Sequence, residues 1–184
     1  MAEESIHNAR ERSLADKAAE ILRQRAESLA LETLSEETGG SMGVLLFRLG
    51  EEWYAVNIDD VREIYQEYSI TPMPGVPDFI LGVVSIRGEI VSVTDLARMM
   101  GLGQVSKGET VPPAIVIQND ECATSIVVDE IGDIADVPAG SVEPPISIID
   151  RQHAEFVAGS LHIGERLVGL MNVERILAPI GASD

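Results

Sequence analysis

Two hydrophobic patterns divide the chain. Between Asn8 and Leu34 the apolar positions follow helical spacing: Ala15, Leu22 and Leu29 fall seven apart, with Ala18 and Ala26 alongside. No Pro or Gly interrupts this stretch, and its Ala, Glu, Arg and Leu content favours helix. The run Ser35-Glu-Glu-Thr-Gly-Gly-Ser41 ends it, because Gly39 and Gly40 reach positive φ without strain and form a flexible joint. The spacing predicts an N-terminal helical extension with a glycine hinge over 1–41, and a separate domain over 42–180.

From Met42 onward the pattern becomes short apolar runs separated by Gly, Pro, Asn and Asp. Val44-Leu-Leu-Phe-Arg-Leu49 and Trp53-Tyr-Ala-Val-Asn-Ile58 flank Gly50-Glu-Glu52, which reads as a hairpin. The same signature recurs around Arg87-Gly-Glu89, Asn119-Asp-Glu121 and Gly164-Glu-Arg166. Short helical turns are predicted near Asp59–Ile64, Leu96–Met100 and Val173–Leu177. Prolines such as Pro72, Pro74, Pro113 and Pro145 fall between the runs, where a missing N–H costs no ladder bond. Many short strands at this spacing argue for a barrel or a pair of barrels.

Charge narrows the partners. With 13 basic and 31 acidic residues the net charge is −18, and most of the acidity lies after residue 38, where Lys107 is the only lysine. Such a surface repels phosphate backbones and anionic head groups, so neither nucleic acid nor direct membrane contact is expected. No apolar run of about 18 residues predicts a membrane-spanning helix, and the acidic start Met1-Ala-Glu-Glu4 is unlike a signal peptide. A single cysteine, Cys122, fits a reducing compartment, and a cytoplasmic protein is expected. Placed at the start of an apolar strand, Cys122 reads as a small buried hydrophobe.

The search for catalytic chemistry returns little. There is no phosphate-binding Gly-x-x-x-x-Gly-Lys-Ser/Thr loop, no Gly-x-Gly-x-x-Gly after a strand, and no Gly-x-Ser-x-Gly elbow. His7, His153 and His162 stand apart from one another and from Cys122, without metal-ligand spacing. The acidic pairs Asp59-Asp60 and Asp129-Glu130 adjoin turns and read as solvated surface. No enzyme activity, cofactor or metal is expected.

The most informative stretch is Gly82-Val-Val-Ser-Ile-Arg-Gly-Glu-Ile-Val-Ser-Val-Thr-Asp-Leu96. Two strands meet at a tight turn, where Gly88 supplies positive φ and Arg87 stands at the tip. Asp95 is placed to N-cap a helix beginning at Leu96. In order along the chain come Phe47-x-Leu-Gly-x-x-Trp-Tyr-x-Val-x-Ile58, Val61-Arg-Glu-Ile64, Pro77-x-Phe-Ile-Leu-Gly82, Ile86-Arg-Gly88 and Val93-Thr-Asp-Leu96. They are followed by Val127-Val-Asp-Glu-Ile131, Val157-Ala-Gly159 and Met171-Asn-Val-Glu-Arg-Ile-Leu177. Each piece alone is weak, but the ordered series from about Val44 to Leu177 closely resembles the CheW family of chemotaxis coupling proteins. Ser85, Ser92 and Thr94 depart from that family's pattern, which has Asn, Pro and an Ile or Val there.

The resemblance implies a mainly β fold of two interleaved five-stranded β-barrels with short helical turns. It implies a non-catalytic adaptor between the cytoplasmic tip of a methyl-accepting chemoreceptor and the regulatory domain of a CheA-type histidine kinase, recruited to receptor arrays. The receptor or kinase contacts it implies are Val61, Glu63, Ile64, Gly82, Val84, Arg87 and Gly88, with Ile80 and Val83 further candidates for an apolar groove. A similar scaffold in another chemosensory pathway, such as pili motility or second-messenger control, is the first alternative. An unrelated small-molecule-binding β-barrel is the second.

Overall fold

The structure, a computed structural model, describes residues 40–105, 111–145 and 154–178. The helix expected before Gly39 lies outside the described residues. The chain divides into two units, Met1–Gly40 and Ser41–Asp184, and every described strand and helix belongs to the second.

Among the described residues ten strands form two five-stranded sheets. In chain order the strands are β1 (Ser41–Leu49), β2 (Glu52–Asn57), β3 (Val61–Tyr65), β4 (Ile80–Ile86), β5 (Glu89–Asp95), β6 (Ala114–Gln118), β7 (Ala123–Val127), β8 (Glu130–Pro138), β9 (Val157–Ile163) and β10 (Arg166–Met171). Sheet A runs β8-β1-β2-β10-β9 and sheet B runs β3-β6-β7-β5-β4. The chain thus enters sheet A, builds all of sheet B, and returns to complete sheet A, which is the expected interleaving. Four antiparallel hairpins fall where the turn residues predicted them, and two parallel pairings, β2 with β10 and β5 with β7, stitch each sheet across its middle.

Each sheet curls, and the segment that follows one edge strand bridges to the opposite edge strand. In sheet B the segment after β3 crosses to β4, where Thr71 and Val83 exchange two backbone hydrogen bonds of 2.8 and 2.9 Å. In sheet A the segment after β8 reaches β9, and Glu143 and Ser160 exchange two more, both 2.9 Å. A glycine makes room for each crossing. A Cβ on Gly82 would lie 2.2 Å from the Thr71 carbonyl oxygen, and one on Gly159 would lie 2.6 Å from that of Glu143.

Burial explains why β1 reads as a continuous apolar run rather than an alternating one. Leu45, Phe47 and Leu49, with Tyr54 and Val56 of β2, pack into a large core shared with Val91, Val93, Ile115 and Ile126 of sheet B. Val44, Leu46 and Ala55 point the other way, into a smaller cluster with Val137, Leu161, Val168 and Leu170. A strand with apolar neighbours on both faces cannot alternate. Phe47, which is fully buried, stacks on Tyr54 directly across the hairpin at a ring separation of 6.0 Å.

Two α-helical turns agree with the sequence reading: α1 (Leu96–Met99) and α2 (Val173–Leu177). Asp95 caps α1 as expected, accepting from the Arg98 N–H at 3.1 Å, and it also accepts from the Val105 N–H at 3.4 Å. The third predicted helical turn, Asp59–Ile64, is corrected. A 3-10 turn covers only Ile58–Asp60, and Val61–Tyr65 is strand β3. Val61, Ile64 and Tyr65 suit a pleated surface, and β6 offers a free edge to pair with. Strand β8 escapes the sequence reading, because Gly132, Asp133 and Asp136 break its apolar pattern. Cys122 also differs from expectation: it is exposed, just outside β7, with its Sγ 3.7 Å from the Leu177 carbonyl oxygen.

Candidate functional site

The sequence candidates separate into a rim and a core. Strand β3 supplies one side of the rim. Its outward positions are Arg62 and Ile64, and Ile64 remains 43% exposed. Val61 and Tyr65 are half-buried against the large core. The tip of the β4–β5 hairpin supplies the other side. Ile86 pairs with Glu89, so the connection is the two residues Arg87 and Gly88, with φ of +50° and +86°. Positive φ at both central positions defines a type I′ turn, whose twist matches that of the flanking strands. Arg87 is the one non-glycine residue with positive φ among the described residues.

Two ion pairs tie the tip to β3. Arg87 Nε lies 3.1 Å from Glu63 Oε2, joining an exposed guanidinium to a carboxylate whose side chain is only 17% exposed. In the opposite sense, Arg62 Nη2 pairs with Glu89 Oε2. Exposed pairs of this kind contribute about 0–1 kcal/mol each, so their effect is to fix the orientation of the tip rather than to hold the fold. Glu63 and Arg87 are the pair that the sequence singles out. Arg62 and Glu89 are not, although Glu89 directly follows the turn and Arg62 directly precedes Glu63.

Gly82 and Val84 lie elsewhere. Val84 is 5% exposed and belongs to the large core, so it has almost no surface with which to touch a partner. Gly82 is buried at the sheet B closure, with φ of +141°. Of the further candidates, Ile80 and Val83 are half-buried on β4. The sequence places these residues on the strand that leads to Arg87 but has no means of telling which face of β4 each occupies.

Beside the rim, a cleft of about 410 Å³ opens between residues 67–71 and β4. Its walls include Tyr65, Tyr68, Glu67, Ser69, Ser85 and Ile86. The two tyrosine rings meet edge to face at 4.9 Å. Each hydroxyl is anchored: Tyr68 donates to the Pro112 carbonyl at 2.7 Å, and Tyr65 shares a hydrogen bond with Ser125 Oγ. Burial pushes the Tyr68 hydroxyl up to about 12. Burial also raises Tyr65, against the opposing effect of the Ser125 hydrogen bond. Neither ring ionises near neutral pH, so the wall stays uncharged apart from Glu67.

Two of the three departures from the family pattern, Ser92 and Thr94, share one partner. Ser92 and Thr94 on β5 both reach Thr124 Oγ1 on β7, at 2.7 and 3.2 Å. Thr94 and Thr124 are buried, and each finds a hydroxyl partner, so no polar atom is stranded.

Among the described residues no group of three or more His, Cys, Asp or Glu could hold a metal ion. No described helix is long and apolar enough to cross a membrane. His162 is exposed on β9, as expected of a solvated histidine, and His153 lies outside the described residues. Asp129 accepts from the Gly50 N–H at 2.7 Å, and Glu130 pairs with Arg48 at 3.0 Å, so this acidic pair braces the β1–β2 turn.

Comparison with known proteins places these features in a family. The CheW-like domain matches residues 43–180. The chain is 32% identical over 150 residues to the chemotaxis protein CheW of Klebsiella aerogenes, covering 80% of this chain and 90% of that one. It is 29% identical over 139 residues to the chemotaxis protein CheW of Rhizobium meliloti, covering 76% and 89%. The crystal structure of the scaffolding protein TtCheW from Thermoanaerobacter tengcongensis superposes with a TM-score of 0.66 at 27% identity, covering 72% of this chain and 90% of that chain.

Proposed function

The chain belongs to the family of CheW-like domains, and from that premise we propose that it joins the cytoplasmic tip of a chemoreceptor to the regulatory domain of a CheA-type histidine kinase. Its role in chemotaxis signalling is that of a non-catalytic adaptor and scaffold. We place it in the cytoplasm, at receptor arrays.

The observation that carries the partner assignment is the braced hairpin tip. Arg87 projects from a type I′ turn and is oriented by Glu63, whose neighbour along β3 is the exposed Ile64. A receptor tip is a helical hairpin, and the apolar face of a helix fits a surface that offers an aliphatic side chain beside a directed charge. Electrostatic complementarity of this kind sets register and encounter rate more than raw affinity. Val61, Glu63, Ile64, Arg87 and Gly88 are the proposed contact group. Gly82 and Val84 support it from beneath.

Arg87→Glu tests the assignment. The reversed charge meets Glu63 and the partner's acceptor alike, and co-sedimentation with a receptor fragment and a CheA fragment should be lost. Because the side chain is 79% exposed, stability should change by only about 0.5 kcal/mol. Full retention of both partners would remove Arg87 from the site. Loss of binding together with unfolding would make it a structural residue.

We also propose that residues 1–41 form a helical extension separable from the adaptor domain at the glycine joint. Every strand of both sheets begins at or after Ser41. Removing residues 1–38 should therefore leave a cooperative thermal transition and unchanged partner binding. A truncated chain that is insoluble or lacks a sharp transition would show that the boundary is wrong.

A further inference from the structure

Closure of sheet B is incomplete, and the gap has the chemistry of a binding site. Thr71 and Val83 exchange both backbone hydrogen bonds, so the N–H and C=O of Val83 point away from β5. Alternation along a strand then turns the N–H and C=O of Ser85 the same way. The hairpin register agrees: Ile86 and Glu89 close the two-residue turn, which leaves Ser85 and Ile90 as a pair without mutual hydrogen bonds. The ladder to the 67–71 segment does not continue from Thr71, and no bridge joins Ser69 to Ser85. By this register the backbone groups of Ser85 point away from β5, no backbone hydrogen bond outside the strand ladders reaches them among the described residues, and Ser85 lines the cleft of about 410 Å³.

We propose that this split accepts an extended, basic peptide segment, which adds to β4 as a short extra strand at Ser85. A helix satisfies its own backbone groups and has no use for those of Ser85, whereas an extended segment needs them. Charge selects the sequence of the occupant. Glu67 lines the cleft, no Lys or Arg does, and the whole chain carries −18. The Tyr65 and Tyr68 rings, held by their anchored hydroxyls, form a fixed apolar wall against which an aliphatic side chain packs with little loss of freedom. This contact adjoins the Arg87 rim but rests on the backbone of Ser85 rather than on Arg87, and it does not depend on the adaptor assignment.

The test uses the full-length, isotopically labelled chain and a capped hexapeptide, Thr-Val-Lys-Val-Lys-Thr. Titration should shift the Ser85 amide resonance saturably and slow its hydrogen exchange at least about tenfold at saturation. The same peptide N-methylated at every backbone nitrogen should not bind, because strand addition needs its N–H groups. A peptide with both Lys replaced by Glu should bind at least about tenfold more weakly, as should the original peptide to Glu67→Lys. Ser85→Pro should abolish binding, since it removes the outward N–H at a position where an edge strand tolerates proline. If that variant fails to fold, the N-methylated peptide on the unaltered chain decides. Absence of a Ser85 shift up to millimolar peptide, equal binding of the methylated peptide, or equal binding of the acidic one overturns the proposal. So does protection of Ser85 without peptide that grows with protein concentration, which would make the occupant a second copy of the chain.

Discussion

Gly82→Ala should be among the most damaging single substitutions in this domain, even though it adds only one methyl group. The new Cβ would stand 2.2 Å from the Thr71 carbonyl oxygen and 2.8 Å from its carbon, and both are backbone atoms that cannot rotate aside. The backbone at Gly82 has φ of +141°, a region that side chains disfavour. Strain of about 1–2 kcal/mol for the backbone and about 1–3 kcal/mol for overpacking together give a loss of about 2–5 kcal/mol. Relief requires Thr71 to move, which breaks the two hydrogen bonds that close sheet B. Chemical denaturation should record the loss, and amide exchange at Val83 and Thr71 should accelerate before that of the sheet interior. Gly159→Ala provides the internal comparison. Its Cβ would also collide with a backbone oxygen, at 2.6 Å, but its φ lies outside the positive region, so the cost should be smaller. A Gly82→Ala variant within about 1 kcal/mol of the parent would mean that the closure bends freely and that the glycine serves no backbone purpose.

Phe47→Ala should cost about 3–5 kcal/mol, a large share of the stability of an ordinary domain. Phe47 is fully buried in the seam where β1 and β2 of sheet A meet the strands of sheet B. Its ring packs on Tyr54, which is itself fixed by donating to Glu52 at 2.7 Å. The hairpin cannot collapse into the vacated space, because the opposite face of the same strand is occupied by the packing of Val44 and Leu46. Urea unfolding should show a lower midpoint with an unchanged slope. Phe47→Leu, which refills most of the volume, should recover over half of the loss. A loss of less than about 1 kcal/mol for the alanine variant would show that the seam is loosely packed and that the two sheets do not stabilise each other there.

Much of this architecture is legible in the residues. The four hairpins announce themselves because their turns need glycine or side chains that tolerate tight bends, and such residues stand out between apolar runs. Strand β3 and strand β8 are hidden for different reasons. In Val61-Arg-Glu-Ile64 the alternation is only a few residues long, and it follows Asp59-Asp60, which resembles a helix start. In β8 the outward face carries Asp133 and Asp136, so half of the strand looks like loop. The rim is legible only as far as Glu63 and Arg87, the two residues that the sequence resemblance singles out. The pair between Arg62 and Glu89 is not, since the two residues lie 27 apart in the sequence and meet only because sheet B curls. The roles of Gly82 and Val84 are obscured by the same curling. A local pattern places a residue on a strand, but only the closed sheet determines which face is inside.

The interleaved connectivity has a consequence for how the chain is made. Sheet B is contiguous in sequence, from Val61 to Val127, and can assemble as soon as that stretch is available. Sheet A cannot: β2 lies between β1 and β10, and β10 begins only at Arg166. During synthesis the β1–β2 hairpin, apolar on both faces, must wait for more than a hundred further residues to emerge. At roughly 5–20 residues per second that wait lasts on the order of 5–20 s. During it, the seam face of the hairpin can shelter against the growing sheet B, while the other face has no native cover until β8 supplies Val137 and lacks Leu161, Val168 and Leu170 until β9 and β10 arrive. The nascent chain is therefore most exposed to chaperones and proteases in the interval between completing β7 and completing β10, and substitutions that slow the arrival or docking of β10 will lower the yield of folded protein more than its final stability.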